Sequence, residues 1–175
     1  MQSATKVLDY LQGRDVACAL IGGVALGAHG VARGTLDTDI LVSDRRVLEV
    51  DFWNDLRDLG SAEIRRGDDE DPLVGLVRFS QTAEPVDVLV GRSPWTDRIL
   101  DRRQHVSVRS RSLPIVERTD LVMLKLYAGG PQDLLDVSLL LAIDEETIAS
   151  EVEARLAECP AVVGKAWRQV RGRRR

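Results

Sequence analysis

The sequence predicts a single unit of the α/β or α+β class with a helical C-terminal part. Three observations carry this expectation. The 175 residues suit one domain with a working hydrophobic core. Up to about residue 116, apolar runs of strand length alternate with short helical stretches and glycine-bearing turns, whereas beyond it only helical periods remain. The chain is 44% hydrophobic and 30% charged, which matches soluble globular proteins and argues against a disordered or fibrous chain.

Each element has a local reason. Val7, Leu8, Tyr10 and Leu11 give a helical period that stops near Gly13. Val16 to Ile21 is an unbroken apolar strand running into Gly22-Gly23. Val24 to His29 then forms a short helix that Gly30 ends, since glycine takes a left-handed cap without a β-carbon penalty. A second strand covers residues 37–43. Val47, Val50, Phe52, Trp53 and Leu56 predict a helix ending at Gly60. Residues 62–67, 73–80 and 85–91 read as strands, separated by Asp68-Asp69-Glu70-Asp71-Pro72 and by residues 81–85. The acidic run is expected to be a solvated turn without chemistry.

A short helix from Trp95 leads to strands at 105–109 and 113–116. Thr119 is placed to cap a helix through Ala128, and Pro131 to open another through Ile143. Helices over 145–158 and 161–170 complete the chain. The expected division is a core over residues 1–117 and a helical region over 118–175, with a basic tail of Lys165, Arg168, Arg171, Arg173, Arg174 and Arg175. Such a tail can gather nucleic-acid phosphates or simply stay solvated.

Several classes drop out. The longest nearly uncharged stretch, Val16 to Ala32, is too short and too glycine-rich to span a membrane. The first residues lack the apolar core of a secretory signal, so a cytoplasmic location is expected. Cys18 and Cys159 have no histidine at metal-ligand spacing and read as buried, reduced thiols. His29 is expected to pack or cap the short helix rather than act as a base, and His105 gives no signal. Neither a Walker loop, a Gly-x-Gly-x-x-Gly fingerprint nor a Gly-x-Ser-x-Gly elbow is present.

Chemistry concentrates at three acids. Asp37 and Asp39 flank Thr38 at the head of an apolar strand, and side-chain alternation puts both on one face roughly 6.5–7 Å apart. Thr38 and Ile40 then face a core. Two such carboxylates repel each other unless a cation sits between them. Asp87 lies in the apolar run Pro85 to Val90, where an unpaired carboxylate is costly. It needs either a cation or an arginine partner. If its strand lies beside that of Asp39, three carboxylates can hold two metals for in-line displacement at phosphorus.

Leu20-Ile21-Gly22-Gly23-Val24-Ala25, followed by Arg33-Gly34-Thr35-Leu36-Asp37-Thr38-Asp39-Ile40, resembles the signature of the DNA polymerase β-like nucleotidyltransferases. The wording is closest to the branch of AbiEii-like toxins of type IV toxin–antitoxin systems. Asp120 to Val137, with Lys125, is similar to a second region of that branch, but Gly129 stands where arginine is common.

The resemblance implies a mixed β-sheet flanked by helices and a transfer of a nucleoside monophosphate from a triphosphate to an acceptor hydroxyl. It assigns Asp37, Asp39 and Asp87 to Mg2+ or Mn2+, Asp87 also to deprotonating the acceptor, and Gly22 and Gly23 to the triphosphate. Lys125 would neutralise phosphate charge, with Arg33 and Thr35 as further phosphate contacts. Asp133 and Asp136 belong either to helix capping or to the site rim. The acceptor could be RNA such as tRNA, or a protein, with a cognate antitoxin as partner. An antibiotic-modifying enzyme and a non-catalytic nucleotide-binding or antitoxin-like module are the alternatives.

Overall fold

A computed structural model describes residues 2–69, 71–108 and 111–173. Of the basic tail, Arg174, Arg175 and the side chain of Arg173 lie outside it, as do Glu70 of the acidic turn and Arg109 of a predicted strand.

The chain runs α1 (Gln2–Gln12), β1 (Cys18–Leu20), α2 (Gly22–Ala28) and β2 (Thr38–Val42), then two 3-10 segments (Arg45–Leu48 and Val50–Leu59). There follow β3 (Glu63–Arg66), β4 (Gly75–Phe79), β5 (Val86–Val90), α3 (Trp95–Asp101), β6 (Gln104–Val108) and β7 (Arg111–Ile115). The rest is helical: α4 (Arg118–Ala128), α5 (Pro131–Leu141), α6 (Glu145–Arg155) with a 3-10 turn (Leu156–Glu158), and α7 (Ala161–Arg173). None of the described helices is long and apolar enough to cross a membrane.

The strands form one seven-stranded mixed sheet in the order β3-β4-β5-β2-β1-β7-β6. β2 pairs parallel with β5 and β1 with β7, and the other neighbours are antiparallel. Alternation sorts the central strands into two faces. Ile40, Val42, Val86, Val88, Val90, Val77 and Phe79 are fully buried, with Thr38 beside them, and Phe79 meets Trp53 edge-on at 5.2 Å. Tyr10 of α1 stacks on the same Trp53, so α1 and the 3-10 segments cover this face. The other face carries Asp39, Leu41, Asp87 and Leu89, beside α4.

Three local expectations are corrected. The helix expected to end at Gly60 is built from 3-10 turns, with extended Glu49 between the segments and a kink at Leu56. The buried side chains explain it: Trp53, Leu56 and Leu59 recur every three residues, the 3-10 repeat, rather than at the spacing of an α-helix. Thr119 does not cap α4; Glu117 precedes the helix, and the Thr119 hydroxyl donates to Glu151 on α6. Cys18 is buried, its thiol pushed up to about 11 chiefly by desolvation, but Cys159 is only half-buried and donates to the Leu156 carbonyl.

One feature has no sequence signal. Asp120, fully buried in α4, accepts two hydrogen bonds from Arg102 at 2.8 and 2.9 Å and lies 3.3 Å from Arg155 of α6. This ion network ties the end of α3 to the helical region that roofs the site.

Candidate active site

Asp37 stands immediately before β2, Asp39 within it, and Asp87 in β5 directly opposite Asp39. The parallel register therefore gathers the three acids, and one carboxylate oxygen from each lies within 4.8 Å of the others. Their charges oppose one another. The Asp39 carboxyl is raised from 3.8 to about 6, first by burial and then by Asp37 and Asp87, with Lys125 and Arg33 acting the other way. Burial also raises Asp87, against the pull of Arg78.

Arg78 of β4 is the register partner of Asp87 and settles the question of a basic neighbour. Its Nε lies 3.5 Å from Asp87 Oδ1, too long for a good hydrogen bond, and that buried oxygen has no hydrogen-bond partner among the described residues. An orphaned buried carboxylate oxygen in a cluster of three acids fits a divalent cation, whose oxygen-ligand chemistry these groups supply. Arg78 carries no signal in the sequence; an arginine alternating with the buried Val77 and Phe79 looks like any solvated position on a half-buried strand.

The glycine pair is explained by crowding. Gly22 sits at a φ of 60°, and a β-carbon there would fall 2.0 Å from Asp39 Oδ2; one on Gly23 would fall 2.6 Å from the Thr35 β-carbon. Thr35 in turn donates to the Asp37 carbonyl at 2.9 Å and carboxylate at 3.0 Å, which orients the first acid. Gly22, Gly23 and Thr35 thus shape the carboxylate cluster directly.

Lys125 of α4 and Arg33 of the loop before β2 converge on α5. Lys125 Nζ lies 2.9 Å from both Asp133 Oδ1 and Asp136 Oδ2, while Arg33 Nη1 donates to Asp136 Oδ2 at 2.7 Å. Asp136 is fully buried and also accepts from Gln132 at 3.2 Å. Asp133 has two jobs, because its second oxygen accepts the Gly130 amide at the start of α5. Gly129, at a φ of 69°, ends α4 in the left-handed conformation, which glycine adopts without strain, and so lets α5 fold back onto Lys125. His29 follows α2 and its Nε2 is 2.8 Å from the Val116 carbonyl, a packing role as expected. The acidic turn bonds to itself: the Asp68 and Asp71 carboxylates each accept the other's amide.

A cleft of about 240 Å³ opens beside the cluster, lined at one end by Gly22, Asp39, Lys125 and Asp133 and elsewhere by apolar side chains. A second hollow of about 270 Å³ shares Leu41, Leu73, Leu124 and Tyr127 with it and continues to Trp95.

The sequence matches no protein-family model and no curated protein. The architecture does have solved counterparts. The antibiotic-resistance factor ANT(2'')-Ia aligns with a TM-score of 0.60 at 14% identity, over 90% of this chain and 91% of that one. The lincosamide antibiotic adenylyltransferase LnuA, solved with lincomycin bound, aligns with a TM-score of 0.53 at 16% identity, over 81% and 96%. A candidate nucleotidyltransferase of Thermotoga maritima aligns with a TM-score of 0.56 at 13% identity, over 88% and 92%. The chain has the nucleotidyltransferase fold.

Proposed function

We propose that this protein is a metal-dependent nucleotidyltransferase that moves a nucleoside monophosphate from a triphosphate to an acceptor hydroxyl. The observation that carries the reading is the convergence of Asp37, Asp39 and Asp87 within 4.8 Å beside an open cleft. A binding module without turnover has no need of three mutually repelling carboxylates at one spot.

The three acids would hold Mg2+ or Mn2+, and such ions, when bound, neutralise phosphate charge and favour ionisation of a nearby hydroxyl. The protein supplies the rest. Asp87, the third acid of the cluster, would also help to deprotonate the acceptor, the role that the resemblance gives it. Lys125 spends two of its three N–H groups on Asp133 and Asp136, so the third is available for the triphosphate. Held in this way, the ammonium is preorganised for charge that develops on the leaving pyrophosphate. Arg33, fixed by Asp136, adds positive potential at the same end, and Gly22 and Gly23 keep the approach to Asp39 open.

For the acceptor, the signature's closeness to AbiEii-like toxins supports RNA, particularly tRNA, or a protein side chain, with a cognate antitoxin as partner. The second reading is antibiotic modification, favoured by the shared fold with ANT(2'')-Ia and LnuA. The test is incubation with each α-labelled triphosphate and Mg2+ against tRNA, total protein, aminoglycosides and lincosamides. Label on one acceptor, lost in Asp39→Ala, supports transfer and names the acceptor. Label on none of them, with Mg2+-dependent triphosphate binding intact, overturns the enzyme reading in favour of a binding module.

A further inference from the structure

We infer that the apolar cleft beside Asp39 receives the nucleoside of the triphosphate and selects it by shape, not by hydrogen bonds to the edge of the base. The inference rests on the nucleotidyl-transfer reading and adds nucleotide specificity to it.

The cleft is polarised. Asp39, Lys125 and Asp133 occupy one end, whereas Leu41, Leu73, Leu89, Leu121, Leu124 and Tyr127 wall the remainder. A nucleoside triphosphate has the matching polarity: a cation-binding polyanion at one end and an uncharged, flat heterocycle at the other. Leu41 lies two residues beyond Asp39 on the same strand face, a step of roughly 6.5–7 Å. The apolar wall therefore begins about one side chain past the carboxylates, with the ribose between.

The same wall says how the base is read. Among the described residues lining its apolar part, Tyr127 has the sole side-chain hydrogen-bonding group, and that hydroxyl already donates to the Pro72 carbonyl at 3.3 Å. Pro72 has no N–H to offer in return. Among the described lining residues this leaves only the lone pairs of the Tyr127 oxygen to favour an amino edge over a carbonyl edge, a single hydrogen bond whose effect is roughly tenfold. Sites that hydrogen-bond a substrate reject analogues by about 10⁴–10⁵, whereas apolar pockets separate ligands by only about 10². The four ribonucleoside triphosphates should therefore bind within about a hundredfold of one another.

The experiment is equilibrium binding of ATP, GTP, CTP and UTP, with Mg2+ and no acceptor, to the full chain and to Leu124→Trp, which fills the cleft. Inorganic tripolyphosphate serves as the control ligand for the charged end. The expected result is four dissociation constants within about a hundredfold, all weakened by about tenfold or more in Leu124→Trp while tripolyphosphate binding is unchanged. If Leu124→Trp loses tripolyphosphate as well, Leu89→Trp replaces it as the cleft-filling variant. One triphosphate preferred by more than about a hundredfold, or a filled cleft that weakens none of them, overturns the inference and leaves nucleotidyl transfer standing. Wild-type protein that binds no triphosphate in Mg2+ overturns nucleotidyl transfer itself.

Discussion

Asp39 and Asp87 stand directly opposite each other on the parallel strands β2 and β5, and among the described residues no side chain donates a hydrogen bond to Asp87 Oδ1. Like charges thus face each other across two strands, and Asp87 is among the causes that raise the Asp39 carboxyl.

The first concerns pH. Because the Asp39 carboxyl is raised from 3.8 to about 6, the folded protein holds this proton more tightly than the unfolded chain. Stability associated with Asp39 therefore falls as pH rises from about 4 through 6 and stays lower above it. Replacing Asp39 with asparagine removes the effect. Metal-free Asp39→Asn should be more stable than wild type by about 1–3 kcal/mol at pH 7.5, and the difference should vanish only below the unfolded value of 3.8, at about pH 3. Paired urea titrations at the two pH values check this; a wild type more stable at pH 7.5 would refute it.

Arg78 is the cation nearest Asp87 and the largest influence lowering that carboxyl. Arg78→Ala should leave Asp87 harder to ionise. The acidic limb of the pH–rate profile should then move to higher pH, with melting temperature little changed because the pair is long and partly solvated. An unmoved acidic limb would show that Arg78 does not act on the group that titrates.

At Gly22 a β-carbon has no room: its nearest neighbour would be an Asp39 oxygen at 2.0 Å, and the φ of 60° adds backbone strain. Gly22→Ala should displace the Asp39 carboxylate and lower transfer activity by about 10², with loss of about 1 kcal/mol of stability. Mg2+ titration of activity is the discriminating measurement, since a displaced ligand raises the metal requirement whereas simple destabilisation does not.

Asp136 and Asp133 both hold Lys125 but differ in depth. Asp136 is fully buried and shared with Arg33, so Asp136→Ala leaves Arg33 without this partner and Lys125 with Asp133 alone, and should cost about 3–5 kcal/mol. Asp133 is partly exposed, and Asp133→Ala should cost only about 1 kcal/mol, the value of a helix-start contact. Denaturant unfolding of the two variants ranks them; equal losses would mean that the buried network is less coupled than its geometry indicates.

Much of this molecule was legible in one dimension. Alternation placed Asp37 and Asp39 on one face and Thr38 in the core, because the pleat of a strand enforces a period of two whatever the fold around it. Most strands and helices fell within a few residues of their predicted bounds for the same reason. Where the sequence misled, the deciding term was packing: Trp53, Leu56 and Leu59 adopt 3-10 turns because the core against Phe79 and Tyr10 selects their spacing, and local propensity does not register that.

What the sequence could not decide is who stands beside whom. That β5 lies next to β2, in the register that sets Asp87 against Asp39, follows from sheet order; so does the presence of Arg78 beyond Asp87. Likewise Asp133 and Asp136, helix-start residues as far as periodicity can say, become the anchors of Lys125 and Arg33 once α5 folds back on α4. Local sequence determined which residues share a face, since that depends on backbone geometry alone. Tertiary structure decided which charges meet, since that depends on long-range pairing, and with it which carboxylate is left needing a cation.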